Sequence, residues 1–93
     1  PSNRPALVVG FAAETGSVVE KAVAKRARKG CDWILANDVS PGTGTFGGDD
    51  NTIHFITSSG TEDWPAQSKP AVAVALAGRI ADYFRSAYVR RYS

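Results

Sequence analysis

The sequence has one cysteine, no methionine and no long apolar run, and each shortage narrows the possible function classes. The single Cys31 excludes an internal disulfide and a cysteine-based metal site, so a reducing, cytoplasmic setting is the default expectation. No apolar segment reaches the roughly 18 residues of a membrane span, and neither a signal peptide nor a membrane partner is expected. The lack of Met and the start at Pro1, just before an apolar strand, predict a piece of a larger polypeptide.

Net charge is also low, because 11 Lys and Arg residues against 9 Asp and Glu residues leave +2 over 93 residues. A nucleic-acid binder usually shows a stronger and more extended basic footprint, with aromatic side chains placed to stack on bases. Here the cations concentrate in one helix and in the carboxy-terminal tail. No nucleic-acid partner is therefore expected, although a non-enzymatic binding module that uses the basic helix stays open as an alternative.

Residues 10–40 predict one complete β-α-β crossover. Residues 7–13 are apolar or small without polar interruption, which is typical of a strand covered on both faces of a parallel sheet, so this strand is expected mid-sheet. Residues 32–36 predict the second strand, and polar and Gly/Pro residues follow it at 37–42. In open α/β sheets, ligands bind at that carboxyl edge.

The helix between these strands is basic. Ser17 and Glu20 have the spacing of a capping box, and Gly30 supplies a stop. Four cations fall on or beside one stripe of this helix: Lys21, Lys25, Arg28 and Lys29. The stripe is either a solvated face that complements the helix dipole or a clamp for the phosphates of a polyanionic ligand.

The remaining elements are a loop, a hairpin and a helix. The glycine-rich loop 41–50 satisfies neither the P-loop nor the dinucleotide fingerprint, and Asp49 and Asp50 are interpreted as solvated acids rather than metal ligands. Residues 51–58 alternate as a half-buried strand, 62–66 return as its hairpin partner, and His54 is interpreted as structural. Trp64 is interpreted either as a dimer contact or as a cap over the core.

The last helix is predicted from Ser68, as N-cap, to about residue 87. Its apolar positions form one stripe that is expected to pack on the sheet: 72, 76, 80, 84 and 88.

Several segments of this sequence resemble the carboxy-terminal part of phosphopantothenate-cysteine ligase. The resemblance begins with GFAAET, continues with a helix that has two lysines four apart before Arg-Lys-Gly, and passes into a Cys-Asp strand that ends in ANDVS. It then runs without gaps to about residue 83. Further matching positions are Phe46, the Asp50-Asn51 pair, His54, Trp64-Pro65 and Lys69.

The resemblance implies the carboxy-terminal part of a Rossmann-like three-layer α/β/α ligase domain. Residues 1–93 would be the carboxy-terminal portion of that single domain, with its amino-terminal half absent. The implied enzyme uses CTP and magnesium to join 4'-phosphopantothenate to cysteine in coenzyme A biosynthesis. An acyl-cytidylate forms first, and phosphopantothenoylcysteine, CMP and pyrophosphate result. The portion alone is expected to be inactive, and in bacteria the ligase is usually the second half of a bifunctional protein.

The resemblance assigns CTP binding to three residues of this sequence, Phe11, Lys25 and Lys29, and places no catalytic residue and no metal ligand in this portion. The spacing of the basic stripe and the resemblance agree on the two lysines. A homodimer is implied, with a share of the contact from the hairpin. A generic Rossmann-type nucleotide or dinucleotide enzyme, with Asp38 on a ribose, is the other alternative.

Overall fold

The computed structural model describes residues 5–40 and 50–92, which contain two helices and five strands. In chain order these are β1 (Val9–Glu14), α1 (Val18–Lys29), β2 (Trp33–Asp38), β3 (Asp50–Thr57), β4 (Gly60–Asp63), β5 (Gln67–Ser68) and α2 (Lys69–Tyr92). The predicted crossover, hairpin and last helix are confirmed. The last helix continues to Tyr92 rather than ending near residue 87.

The sheet is mixed. β1 and β2 are parallel, in register from Val9 opposite Trp33 to Glu14 opposite Asp38. β3 lies antiparallel to β2 on one side and to β4 on the other, and the short β5 also pairs with β3. The parallel pair needs the crossover helix α1, whereas the antiparallel β3–β4 pair closes through a tight turn.

The two helices cover opposite faces of this sheet, which confirms the three-layer α/β/α architecture. On one face, small and branched residues let α1 pack closely; these are Ala12, Val18, Ala22, Ile34, Ala36 and Ile56. On the other face, Leu35, Ile53 and Phe55 form a buried cluster, and Val72 and Leu76 of α2 pack against it. Adjacent strand residues therefore serve different layers, because side chains alternate across a strand.

The alternation predicted for β3 is correct, and the strand is more buried than predicted because Ile56 is buried on its second face. Ile53 and Phe55 face α2 while Ile56 faces α1, and all three are buried. The strand has a hydrogen-bonded neighbour on each side. On the α1 face Thr52 and His54 stay partly exposed, so the two faces are not equally covered.

The mid-sheet position predicted for β1 is wrong within this chain. Among the described strands β1 has one neighbour, β2, and so lies at the edge of the sheet. Ala12 is buried under α1, whereas Phe11 is 62% exposed on the other face. A run of small and apolar residues is compatible with a doubly covered strand, but it equally suits the floor of an open pocket.

The capping box predicted at the start of α1 is also wrong. Helix α1 begins at Val18 as expected, but Ser17 adopts the left-handed conformation (φ 50°, ψ 40°) and makes no side-chain cap hydrogen bond. Gly16 before it has φ 70°, so the chain turns into the helix through two left-handed residues. At the other end Gly30 (φ 69°) donates its N–H to the Arg26 carbonyl, which confirms the predicted stop.

Only the first half of the α2 stripe packs on the sheet. Val72 and Leu76 contact the core, but Phe84 and Tyr88 are 45% and 64% exposed. A helix of 24 residues is about 36 Å long, whereas a strand of six residues spans about 20 Å, so α2 extends past the sheet. In the part of the chain that the structure describes, no helix is long and apolar enough to cross a membrane.

Candidate ligand pocket

A pocket of about 420 Å³ opens on the α2 face of the sheet, toward the carboxyl ends of the two parallel strands. Its lining comes from three strands and the first turn of α2: Phe11, Ala12, Ala13, Leu35, Asn37, Asn51, Ile53, Lys69 and Val72. Most of these side chains are apolar, and a few polar groups converge among them, as is usual for small-molecule sites. The position is also the edge at which α/β sheets bind ligands.

Phe11 forms the open wall of this pocket. It lies opposite Leu35 in the β1–β2 register and shares the α2 face with it, because the intervening Ala12 is buried under α1. With 62% of its surface exposed, the Phe11 side chain is available to a ligand as a flat apolar surface. The sequence prediction that places Phe11 at a ligand site therefore agrees with its position, although its contact with a nucleotide stays a prediction.

Two asparagines supply polar groups to the pocket. Asn37 Nδ2 donates to Asn51 Oδ1 at 3.4 Å, and Asn51 Nδ2 donates to the Gln67 carbonyl at 3.3 Å. The chain of amides links β2, β3 and β5. Asn37 Oδ1 is buried, and no described residue donates to it. An unsatisfied buried acceptor costs about 1–3 kcal/mol, so a ligand N–H or O–H at this atom would be stabilising.

Lys69 brings the single formal charge among the described residues that line the pocket. It is the first residue of α2, next to Ser68, whose Oγ accepts a hydrogen bond from the Ala71 N–H at 3.2 Å and caps the helix as predicted. The Lys69 side chain is exposed and, within the described residues, makes no hydrogen bond or ion pair.

The lysine stripe of α1 follows the outer edge of β1. Lys21 Nζ donates to the Thr15 carbonyl at 2.8 Å and Lys25 Nζ donates to the Phe11 carbonyl at 3.0 Å. The Val8 and Glu14 carbonyls accept from the β2 side, so the alternation of a strand turns the Phe11 carbonyl to the open edge. Lys25 and Phe11, two of the predicted site residues, are thus brought together.

Lys29 lies one helical turn beyond Lys25, about 6 Å further along α1. Because α1 runs opposite to β1, that step leads toward the amino end of the strand and away from the pocket. The exposed Lys29 side chain makes no hydrogen bond or ion pair within the described residues, so it is available to a ligand that follows the strand edge. Its role as a phosphate ligand stays a prediction.

Asp38 ends β2 on the α1 face, so it does not line the pocket. Its Oδ1 accepts from the Ser40 N–H at 2.9 Å. Hydrogen bonds from the Ser40 side chain and backbone, together with the nearby His54, hold the pKa of Asp38 below its usual value. Its part in that turn gives no support to the alternative in which Asp38 binds a ribose.

His54 has a partner that was not expected from the sequence. His54 Nδ1 lies 2.6 Å from Asp63 Oδ1, because the β3–β4 register places the two residues opposite each other. Trp64 stacks on Phe55 with 5.1 Å between ring centroids and packs on the core, so it acts as a cap. The predictions for Phe46 and Asp49 lie outside the described residues.

Asn37, Asn51 and Lys69 are not among the site residues predicted from the sequence. Each belongs to a string that carried the resemblance, namely ANDVS, the Asp50-Asn51 pair and the lysine that opens the last helix. That resemblance was the available signal. Their convergence depends on the β2–β3 and β3–β5 registers, which residue spacing does not predict.

The family model of the DNA/pantothenate metabolism flavoprotein C-terminal domain matches residues 1–84. Similar proteins named coenzyme A biosynthesis bifunctional protein CoaBC occur in Escherichia coli K12, at 44% identity over 73 residues (78% of this chain, 18% of that protein), and in Bacillus subtilis, at 37% over 76 residues (81% and 19%). The chain thus spans about a fifth of the length of these relatives.

A solved structure is also similar. The crystal structure of the C-terminal domain of coenzyme A biosynthesis bifunctional protein CoaBC matches with a TM-score of 0.70 and 27% sequence identity. The match covers 90% of this chain and 38% of that one. The α/β fold described above is therefore the fold of the corresponding part of that domain.

Proposed function

Because this chain belongs to the DNA/pantothenate metabolism flavoprotein C-terminal domain family, we propose that it is the carboxy-terminal part of a phosphopantothenate-cysteine ligase domain. The proposed reaction joins 4'-phosphopantothenate to cysteine at the expense of CTP. The relatives named for coenzyme A biosynthesis support that pathway. In the proposed reaction a carboxylate attacks the α-phosphorus of CTP and releases pyrophosphate, and the amine of cysteine then displaces CMP from the acyl-cytidylate.

One observation carries the proposal: the Phe11 side chain forms a wall of the pocket, and the Phe11 carbonyl accepts a hydrogen bond from the Lys25 ammonium. A nucleoside triphosphate has an apolar, planar base at one end and a polyanion at the other. The pocket suits the base, and the lysines along the β1 edge suit the phosphates. Lys25 can exchange its neutral carbonyl partner for a charged phosphate oxygen, since hydrogen bonds between two charged groups are the stronger ones.

This chain's part in the chemistry is binding and charge neutralisation. Nothing in the proposed scheme needs a covalent protein nucleophile. Negative charge on the triphosphate and on the transition state needs positioned cations, which Lys25 and Lys29 provide, and electrostatic stabilisation of this kind is usually the largest contribution to such reactions.

Magnesium is proposed as the counter-ion of the nucleotide. Within the described residues, no group of three His, Cys, Asp or Glu side chains could hold a metal ion, so this part of the chain offers the ion no protein cage. Magnesium commonly binds through one or two carboxylates and the phosphates of its substrate. We therefore assign no step to a residue of this chain acting through the metal.

The full activity needs residues beyond this sequence. We propose that the remainder of a ligase domain completes the nucleotide site along the open edge of β1, that the hairpin β3–β4 contributes to a homodimer, and that the enzyme is cytoplasmic. The chain covers 38% of the similar crystal structure, which supports the first of these statements. On its own, this stretch is expected to be inactive.

The test is titration of CTP, ATP and NAD into the complete ligase domain and into its Lys25→Ala and Lys29→Ala variants, at fixed salt and magnesium. Each lysine–phosphate contact is expected to contribute about 1.5–3 kcal/mol, a loss of roughly 10- to 100-fold in affinity for CTP. Arg85→Ala is the matched control, because it also removes one positive charge but lies on the exposed surface of α2, where Arg85 pairs with Asp82. Unchanged CTP affinity in both test variants would make the stripe a solvated face.

A further inference from the structure

Lys69 is a charged group that the proposed reaction has not used. It lines the pocket from the first turn of α2, and its exposed side chain makes no hydrogen bond or ion pair within the described residues. The first turn of α2 has no acidic residue, and a cation at the amino end of a helix opposes the helix dipole. An anionic group bound at this end of the pocket would therefore stabilise both the ammonium and the end of the helix.

The triphosphate is not placed to be that anion. The lysines assigned to it lie on α1, and Lys25 reaches the outer edge of β1. The short strand β5, which ends next to Lys69, lies on the side of β3 that β4 occupies, because the Trp64 N–H donates to the Ile53 carbonyl between the two strands. β1 and β5 are thus three strand spacings apart, or about 14 Å. Lys69 is therefore placed for an anionic group other than the phosphates at Lys25.

Asn37 supplies a second requirement at the same pocket. Its buried Oδ1 has no hydrogen-bond donor among the described residues, and its amide nitrogen already donates to Asn51 Oδ1 at 3.4 Å. A buried acceptor without a donor is unfavourable, so a ligand that fits here brings an N–H or O–H group. A phosphate oxyanion does not meet this requirement, because it only accepts hydrogen bonds.

An α-amino acid carries both of the required groups on one carbon atom. Its carboxylate is a single negative charge, which matches the one cation of the described lining, and its amine is an N–H donor. Asn37 on β2 and Lys69 after β5 start two strand spacings apart, about 10 Å, and their side chains shorten that gap. Leu35, Ile53 and Val72 add apolar lining, which suits a short thiol side chain.

We propose that this end of the pocket is the subsite for cysteine, with Lys69 donating to the α-carboxylate and Asn37 Oδ1 accepting from the α-amine. This inference rests on the proposed function, because it takes the amino acid to be the cysteine of that reaction. The pocket, at about 420 Å³, leaves room beside the amine for the acyl group with which it reacts.

The subsite positions the amine for the second step. The nitrogen lone pair forms the bond to the acyl carbon, the bond from that carbon to the phosphate oxygen breaks with its electrons on CMP, and the surplus proton of the amine passes to solvent. Asn37 orients the nitrogen. Lys69 disfavours the unreactive ammonium form of the amine, because a nearby like charge lowers the pKa of an amine.

The experiment compares Lys69→Met with the parent in the complete ligase domain, at saturating CTP and 4'-phosphopantothenate. The amine substrate is either cysteine or cysteamine, which is cysteine without its carboxylate. Lys69→Met should lower kcat/KM for cysteine by about 10- to 100-fold, mainly through KM, and should not lower it for cysteamine. Asn37→Ala should lower both values, because the two substrates share the amine. Arg85→Met, on the exposed surface of α2, is the charge-matched control and should change neither.

A second measurement isolates the first half of the reaction. Pyrophosphate release from CTP and 4'-phosphopantothenate without cysteine should be equal in Lys69→Met and the parent. Slower release would assign Lys69 to one of those two substrates and overturn the inference. Equal losses with cysteine and cysteamine, or no loss with cysteine, would also overturn it, because neither fits a contact with the carboxylate. Failure of the proposed function is distinguishable, because the parent would then release no pyrophosphate.

Discussion

The Lys25 ammonium lies 3.0 Å from the carbonyl oxygen of Phe11, the same residue whose side chain forms the open wall of the pocket. One strand residue thus contacts the basic helix through its backbone and faces the pocket through its side chain. This arrangement connects the two parts of the proposed nucleotide site, and it allows the contribution of the aromatic ring to be tested without removing the lysine.

Replacing Phe11 by Ala should weaken binding of the nucleotide more than it weakens the fold. The side chain is 62% exposed, so little buried surface is lost. Contact between a base and an aromatic ring contributes about 1–3 kcal/mol, which predicts at least a fivefold loss of CTP affinity by calorimetric titration. Phe84→Ala is the control, because Phe84 is 45% exposed on the far half of α2. Equal effects of the two substitutions would contradict a role for Phe11 at the site.

Arg79→Met should destabilise the packing of α2 on the hairpin. The Arg79 guanidinium binds the Glu62 carboxylate through both of its terminal nitrogens and lies 5.1 Å from the centroid of the Phe55 ring. Methionine keeps most of the apolar stem but loses both interactions, so the free energy of unfolding should fall by about 1–2 kcal/mol.

The matched control is Arg85→Met, which removes an exposed pair with Asp82 inside α2. Such a pair contributes about 0.3–0.5 kcal/mol, so urea unfolding should hardly change. A loss as large as that of Arg79→Met would mean that any charge removal from α2 is costly, and that the contact with the hairpin has no special part.

The apolar stripe of α2 shows what the sequence could predict. Periodicity correctly predicted an apolar stripe at 72 and 76, because burial against a sheet imposes the helical repeat on the sequence. The same periodicity continues to Phe84 and Tyr88, although both side chains are exposed. A pattern indicates which side chains share a face, but the length of the opposing sheet decides which of them are buried.

The residues of the candidate site also fall into two groups, those that were predicted from the sequence and those that were not. Phe11 was assigned to the site by the family resemblance alone, and Lys25 by the resemblance together with the spacing of the basic stripe. The two lie close together because both belong to one local crossover, in which helix and strand are close in sequence. Asn51 and Lys69 come from β3 and α2, and they reach the pocket because β3 pairs antiparallel with β2 and β5. Residue spacing does not predict that pairing. The left-handed turn at Ser17 was missed because a capping-box motif does not specify the backbone conformation of its first residue.

Acid should weaken the fold through two carboxylates. The hydrogen bonds from Ser40 hold the pKa of Asp38 below its usual value, and those from Arg79 do the same for the pKa of Glu62. A carboxyl whose pKa is lower in the folded state stabilises that state above its unfolded pKa, near 4, and loses the contribution as the pH falls through the folded pKa. The free energy of unfolding should therefore decrease from pH 5 toward pH 3.

Urea unfolding at a series of pH values measures that decrease. Glu62→Gln should have a shallower slope below about pH 4.5 than the parent, because glutamine cannot take up the proton. Glu20→Gln, on the exposed surface of α1, serves as the control. Identical slopes for Glu62→Gln and the parent would show that the pair with Arg79 contributes nothing that depends on pH.

Gly10→Ala should destabilise the protein, whereas Gly78→Ala should not. A Cβ at Gly10 would lie 2.7 Å from Ile34 Cδ1 and 3.0 Å from Cys31 Sγ, and Ile34 is fully buried between β1 and α1. Overpacking of this kind costs about 1–3 kcal/mol. Gly78 lies within α2 with nothing within 4 Å of its added Cβ, so alanine should stabilise the helix by up to about 1 kcal/mol. Opposite signs in thermal unfolding would confirm that the side chains of Ile34 and Cys31 occupy the space over Gly10, and a loss for Gly78→Ala equal to that for Gly10→Ala would refute it.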